Sequence, residues 1–263
     1  MADVKRDDTK YTAPALEKGL DILDVLSAQD HGLTQVEIAR TLNRSVSEIF
    51  RMLVVLRRRG LVDLEANSDR YYLTTKLFEM ANRTPIVARL TVAAGPIMGQ
   101  LASATDESVH LVVRSDDHIL VIGQVDNPGY NVMSIRLGAR IPVWKTSSGR
   151  VIVANQSPEW VNEFVRNHPH PDGVSPDVLM DELATVRARG YEVLPSYVIK
   201  GVTNISAPIV GHDGWAAAAL TIPYVDRHFG GISIAACRAQ LTDATAMISR
   251  AIGGRVEAQR AAE

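Results

Sequence analysis

Arg44, Ser45, Ser47 and Arg51 crowd one short stretch of the sequence, and their side chains are of the kind that meet nucleic acid. A guanidinium matches guanine O6 and N7, and serine or arginine binds phosphate oxygens. Ser47 and Arg51 are four residues apart, so a helix carries them on one face. Glu48 has two candidate roles, closing a helix cap or accepting from cytosine; the Ser45-x-x-Glu48 spacing favours the cap. Thr34 and Gln35 at the start of the preceding helix, with Arg70 and Tyr71 in a following hairpin, complete the candidate DNA contacts. Arg57, Arg58 and Arg59 stand at the far end of the helix, where backbone contact or solvation is expected rather than base reading.

Other residue types suggest chemistry less strongly. His168-Pro169-His170-Pro171-Asp172 could ligate a metal, but it lacks helical i, i+4 spacing and a second cluster, so an exposed loop is expected. Cys237 is the only cysteine, which excludes an intrachain disulfide and a cysteine-cluster metal site and suits a reducing cytoplasm. Lys145 with Ser147 or Ser148 is superficially a Ser–Lys hydrolase pair, yet no Gly-x-Ser-x-Gly elbow surrounds it. No catalytic residue, metal or cofactor is therefore expected. Two rival readings stay open: a small-molecule hydrolase that kept a vestigial helix-turn-helix, and a winged helix that binds protein instead of DNA.

The elements around the first group have a definite order. Ala15 to Leu26 carries apolar residues at helical spacing. Thr34-x-x-Glu37 and Ser45-x-x-Glu48 are two capping boxes, each opening a helix. In the second of these helices Val46, Ile49, Phe50, Leu53, Val54 and Leu56 are expected to form the buried side, and Gly60 ends it. Leu61–Leu64 and Arg70–Leu73 read as a hairpin around Ala66–Asp69, with one of Tyr71 and Tyr72 packing inward. The result is a winged helix-turn-helix. From Arg40 to Lys76 eight basic residues stand against four acidic ones, on a chain whose formal net charge is −2. A basic island on a near-neutral chain is a modest pointer to nucleic acid.

The chain has 263 residues, 46% hydrophobic and 22% charged, as in globular proteins of two domains. No run of eighteen uncharged apolar residues suggests a membrane span. The charged stretch from Met1 to Lys10 has no apolar centre and reads as a solvated tail, not a secretory signal. Past Thr84-Pro85, where the domain boundary is placed, comes a helical stretch from Ile86 to Ala104 in which Gly95-Pro96 is expected to make a kink. Val109–Arg114, Ile119–Val125 and Val132–Leu137 are strand candidates. Helices are expected from Ser147–Ser148, Ser157-Pro158 and Ser175-Pro176. Two more strands, Thr203–Val210 and Trp215–Pro223, precede a last helix over Gln240–Ile252. Hairpins with helices between them mean α+β.

Several segments together resemble the IclR family of regulators. Ala15-Leu16-Glu17-Lys18-Gly19-Leu20, Gly32-Leu33-Thr34-Gln35-Val36-Glu37-Ile38-Ala39 and Arg51 through Val62 are similar to its N-terminal half. Gly138-Ala139-Arg140-Ile141-Pro142, Thr146-Ser147-Ser148-Gly149-Arg150 and Gly201 through Pro208 are similar to its C-terminal half. The resemblance implies a GAF-like effector domain and a dimer or tetramer. It divides the chain into a tail (1–13), the winged helix-turn-helix (14–78), a linker helix (79–95) and the effector domain (96–263).

It also implies an effector site at the helix start Ser147, Ser148 and Gly149, where unpaired N–H groups suit an anion. Asn204 matches a polar pocket position, and Ser206 alternates with it on the same strand. Leu220 and Ile222 fall where known members are polar, which favours an apolar or aromatic acid over a very small keto acid. Met133, Ile135 and Trp144 are candidates for the apolar side. The expected protein is thus a ligand-responsive regulator that binds a near-palindromic DNA operator and senses a small organic acid.

Overall fold

The computed structural model describes residues 12–83, 85–129, 132–168, 171, 174–226 and 231–254. The expected tail lies almost wholly outside them. The chain forms two compact units, 1–84 and 85–263.

The first unit contains α1 (Pro14–Ser27), β1 (Leu33–Thr34), α2 (Gln35–Thr41), α3 (Val46–Arg58), β2 (Val62–Leu64), β3 (Arg70–Leu73) and α4 (Lys76–Asn82). Both capping boxes form: Thr34 accepts from the Glu37 amide and Ser45 from the Glu48 amide, while each glutamate reaches back to its cap. Ile22, Leu26, Ile38, Ile49, Leu53, Leu56 and Val62 make the core. Val46, Phe50 and Val54, expected inside, are exposed. Successive helical residues turn by about 100°, so Ile49, Leu53 and Leu56 define the inward stripe and these three fall beside it. The wing has three strands in the order β1-β3-β2, with Leu33 opposite Tyr71 and Asp63 opposite Tyr72. The two-residue β1 is too short to leave a pattern in the sequence.

The second unit begins with α5 (Pro85–Thr105), which runs through Pro96. The expected linker helix 79–95 spans two elements: α4 ends at Asn82, and Leu90 and Ala94 of α5 are buried in the second core. Next come β4 (Val109–Ser115), β5 (His118–Val125), β6 (Arg140–Pro142), a 3-10 turn (Val143–Lys145), α6 (Ser147–Ala154), α7 (Pro158–Asn167), α8 (Pro176–Arg189), β7 (Glu192–Pro195), β8 (Val202–Val210), β9 (Ala216–Val225) and α9 (Ile234–Ala251). The sheet is antiparallel, in the order β6-β5-β4-β9-β8-β7. α5 and α9 cover one face, burying Leu111, Ile205, Leu220, Ile222 and Leu241. α6, α7 and α8 bury the other with Val112, Val151, Phe164, Leu183 and Ala219. Ser157 and Ser175 cap α7 and α8, each with proline in the first turn.

Three strand and helix expectations change. The described residues of Val132–Leu137 form no strand; pairing with β5 is made by Arg140–Pro142 after Gly138 turns the chain at φ +80. The short edge strand β7, after Gly190, escaped the sequence reading. α9 starts at Ile234, capped by Ser233, well before Gln240.

Candidate functional site

In the first unit the exposed side of α3 carries Ser47, Phe50, Arg51 and Val54. Arg51 makes no ion pair among the described residues and is open to solvent. The other candidates hold the unit together. Thr34 and Ser45 are caps, and Gln35 Nε2 donates to the Val46 carbonyl at 2.9 Å, tying α2 to the start of α3. Arg44 lies 3.6 Å from Asp21. Glu48 accepts from Lys18 at 2.6 Å as well as from Ser45, and the lysine contact, then the cap, holds its carboxyl down to about 2. Glu48 is thus a cap and a tether to α1.

The wing departs from expectation. Arg70 donates to the Gly32 carbonyl at 2.6 Å and lies 3.1 Å from Glu37, so it is drawn back onto α2. Tyr71 packs against the core and Tyr72 is the exposed partner, as alternation along a strand requires. Arg57 lies 3.1 Å from Asp63. Of the candidate contacts, Ser47 and Arg51 on α3 are thus the ones left open to solvent, neither a cap nor in an ion pair among the described residues.

The second unit has a partly open cavity of about 260 Å³ between the sheet, α6 and the segments 133–135 and 196–199. Its polar lining is Thr146, Ser147, Ser148, Asn204, Thr221 and His110, with Ser134, Ser196 and Tyr197 from the two segments. Its walls are Ile119, Met133, Ile135, Ile141, Val198, Ile199, Val202 and Pro223. Thr146, not a serine, caps α6, accepting from the Gly149 amide at 3.0 Å. Ser147 and Ser148 lie in the first turn and are nearly fully buried. The Ser147 and Ser206 hydroxyls are 2.7 Å apart, and Ser206 and Thr221 are likewise 2.7 Å apart. Ser206 sits behind the cavity wall and links two residues that line it.

Other expected lining residues face elsewhere. Ile205 pairs with Ile222 and Ala207 with Leu220, so Leu220 and Ile222 point to the α5–α9 core; Asn204 and Ser206 pair with Pro223 and Thr221 on the cavity face. Trp144 packs on Phe164, ring centres 5.5 Å apart. Gly149 is needed for packing rather than ligand approach: a Cβ there would sit 2.4 Å from the Val143 carbonyl oxygen. His110 and Thr221 were missed. Each is a polar residue flanked by apolar neighbours in its strand, and they are register partners across β4 and β9. Burial pushes the His110 imidazole down to about 4.

Two further groups of residues are placed as follows. Lys145 Nζ lies 5.9 Å over the Tyr197 ring, while Ser147 bonds to Ser206. His168 stacks on Phe164, and His170 and Asp172 of the histidine-proline loop lie outside the described residues. Among the described residues there is no group of three or more metal-binding side chains, and no helix is long and apolar enough to cross a membrane.

A winged helix-turn-helix on one unit and a cavity of small-molecule size in the other are the parts of a ligand-responsive transcriptional regulator. Comparison with known proteins agrees. Residues 15–65 match the model of the IclR helix-turn-helix domain, and residues 84–250 that of the bacterial transcriptional regulator IclR C-terminal domain. The chain belongs to the IclR family, which is one of transcriptional regulators and not of enzymes. It is 27% identical over 260 residues to the HTH-type transcriptional regulator KdgR of Escherichia coli (strain K12), covering 96% of this chain and 98% of that protein. It is 30% identical over 232 residues to KdgR of Dickeya chrysanthemi, covering 85% and 75%. The solved IclR of Thermotoga maritima superposes with a TM-score of 0.72 at 28% identity, over 90% of this chain and 98% of that one. An IclR homolog of Microbacterium hydrocarbonoxydans, complexed with 4-hydroxybenzoate, shares the fold with a TM-score of 0.76 at 22% identity, over 90% and 98%.

Proposed function

We propose that this regulator senses a small monocarboxylic acid with an apolar or aromatic body, and that it reads its operator with α3. The observation that carries the effector reading is the mixed lining of the cavity: hydroxyls at the N-terminus of α6 together with mainly aliphatic walls. Unpaired amides of a first helical turn suit a carboxylate, and Ser147, Ser148 and Asn204 add hydrogen-bonding groups. At about 260 Å³ the cavity is just below the range of roughly 300–1,000 Å³ usual for drug-sized ligands, which supports a compact molecule. The related fold that holds 4-hydroxybenzoate supports the same class.

On the DNA side, Arg51 and Ser47 offer polar readers, and Phe50 beside them offers apolar surface of the kind that meets a thymine methyl. Two such helices in a dimer would lie in successive major grooves of a near-palindromic operator. Exposed apolar side chains on the helices, Met80 of α4 and Val92 of α5, support self-association as a dimer or tetramer. Sedimentation at micromolar concentration tests that; a clean monomer would contradict it.

The effector shifts operator affinity only by its differential affinity for two arrangements of the protein. A thermal-shift screen of monocarboxylates with the intact protein tests the effector class, because a ligand specific for the native state raises its stability. Ser148→Asp sets a like charge at the proposed carboxylate site. Acid binding should fall sharply in this variant with ligand-free DNA affinity near normal. Unchanged binding would move the site elsewhere.

A further inference from the structure

His110 is more than nine-tenths buried, lines the cavity, and makes no side-chain hydrogen bond among the described residues. It is the one histidine, and the one side chain able to become cationic, among the residues that line this cavity. Its cross-strand partners are Gln124 on β5 and Thr221 on β9, both neutral. From α6 the facing groups are the Ser147 and Ser148 hydroxyls; Arg150, further along that helix, is held by Glu182 and Glu192. From β8 comes Asn204, and from the 196–199 segment the Tyr197 phenol, with the Lys145 ammonium over its ring. Two acids flanking these strands are turned to other partners: Glu107, before β4, accepts from the Val225 amide, and Asp126, after β5, from Gln124.

A carboxylate drawn into this cavity leaves water and meets hydroxyls, amides and one neutral imidazole. Helix amides lower the cost of its burial, yet a full negative charge in a mainly apolar cavity still favours a positive partner. We propose that effector capture is coupled to protonation of His110: the acid enters as its anion, one proton is taken from solvent, and the proton rests on the imidazole as the ligand's counter-charge. This rests on the carboxylate reading of the cavity. In the empty protein, burial keeps the imidazole neutral at physiological pH. In the complex the adjacent anion raises its proton affinity, as an opposite charge does. The regulator would then respond to pH and acid concentration together, binding its effector more tightly as the surroundings acidify.

The test is calorimetry on the intact protein with 4-hydroxybenzoate, benzoate and other monocarboxylates of similar size. Titrations at pH 6, 7 and 8 use two buffers of different ionisation enthalpy, with benzamide as the uncharged control. Binding of the acid should fall by close to tenfold for each unit of rising pH, with proton uptake near one per ligand. Benzamide should show neither. His110→Gln should bind the acid with no pH slope and no proton uptake. Histidine ¹⁵N shifts of the wild-type complex should show an imidazolium absent from the free protein, which keeps the test decisive if the variant fails to fold. An acid that binds with zero uptake, or uptake that survives His110→Gln, overturns the proposal and leaves the acid-sensor reading standing. If no acid binds at pH 6 while benzamide does, the carboxylate reading itself is wrong and the proton coupling falls with it.

Discussion

Lys18 Nζ lies 2.6 Å from Glu48 Oε1, so one ion pair joins α1 to the first turn of α3. Glu48 also closes the Ser45 capping box. The same carboxylate therefore starts the helix and fixes it to its neighbour.

This pair gives the N-terminal unit a pH dependence of definite sign. The Glu48 carboxyl is lowered from 4.5 to about 2, so its contribution is complete above pH 4.5 and is lost as pH falls toward 2. Glutamine can still close the cap but carries no charge. In Glu48→Gln, amide-exchange protection of α1 and α3 should be lower at neutral pH and flatter than wild type between pH 4.5 and 2. Glu37 and Asp63, lowered in the same direction, are common to both proteins and cancel in the comparison. Parallel pH profiles would show that the Lys18 contact contributes nothing.

Arg51 and Arg58 should separate sequence reading from backbone attraction. Arg51→Ala is expected to weaken binding to a selected operator by about 1–3 kcal/mol and to relax one base preference. Arg58→Ala should weaken operator and scrambled duplex alike and flatten the salt dependence. Arg57 is a poorer control because it is engaged by Asp63. Equal losses on both duplexes for Arg51→Ala would make that residue a phosphate contact.

Gly149→Ala tests whether the glycine in the first turn of α6 is there for packing. Its new Cβ would meet the Val143 carbonyl oxygen at 2.4 Å and the Val143 Cα at 2.7 Å, both backbone atoms. Relief requires α6 to move, at about 1–3 kcal/mol. Urea unfolding followed by tryptophan fluorescence, to which Trp144 contributes, should show the loss. A wild-type midpoint would mean that the helix shifts freely.

Ser206→Ala removes the middle of three hydroxyls. Ser206 is fully buried, so the loss should cost about 1–2 kcal/mol of stability. Acid affinity should fall as well, although Ser206 itself does not line the cavity. Full retention of affinity would show that Ser147 needs no support from behind.

The helix starts were legible because they depend on neighbours in sequence. Thr34 with Glu37, Ser45 with Glu48, and Ser157 or Ser175 before proline each satisfy local amides, and each cap formed. The cavity depends instead on strand register, which local patterns do not contain. Leu220 and Ile222 share a face with each other, as alternation requires, but pairing with Ala207 and Ile205 turns that face to the opposite core. Thr221 lies between them and faces the cavity. The alternation of Val132–Leu137 was misleading for a related reason: Met133 and Ile135 cover the cavity without joining the sheet. One face of a segment can be buried with or without a partner strand.

The hydroxyls of Ser147, Ser206 and Thr221 form a row in which each oxygen has a single proton to give. A continuous row can run in only two senses. If the protons point from Ser147 toward Thr221, Ser147 offers the cavity lone pairs. If they point from Thr221 toward Ser147, Ser147 has a proton free for whatever occupies the cavity. In the first sense the free proton is Thr221's, and Thr221 also lines the cavity. The row therefore always presents one proton and one set of lone pairs, and an anion selects the sense that turns the proton to the end it occupies. Thr221, at the end of that row, is the strand partner of His110.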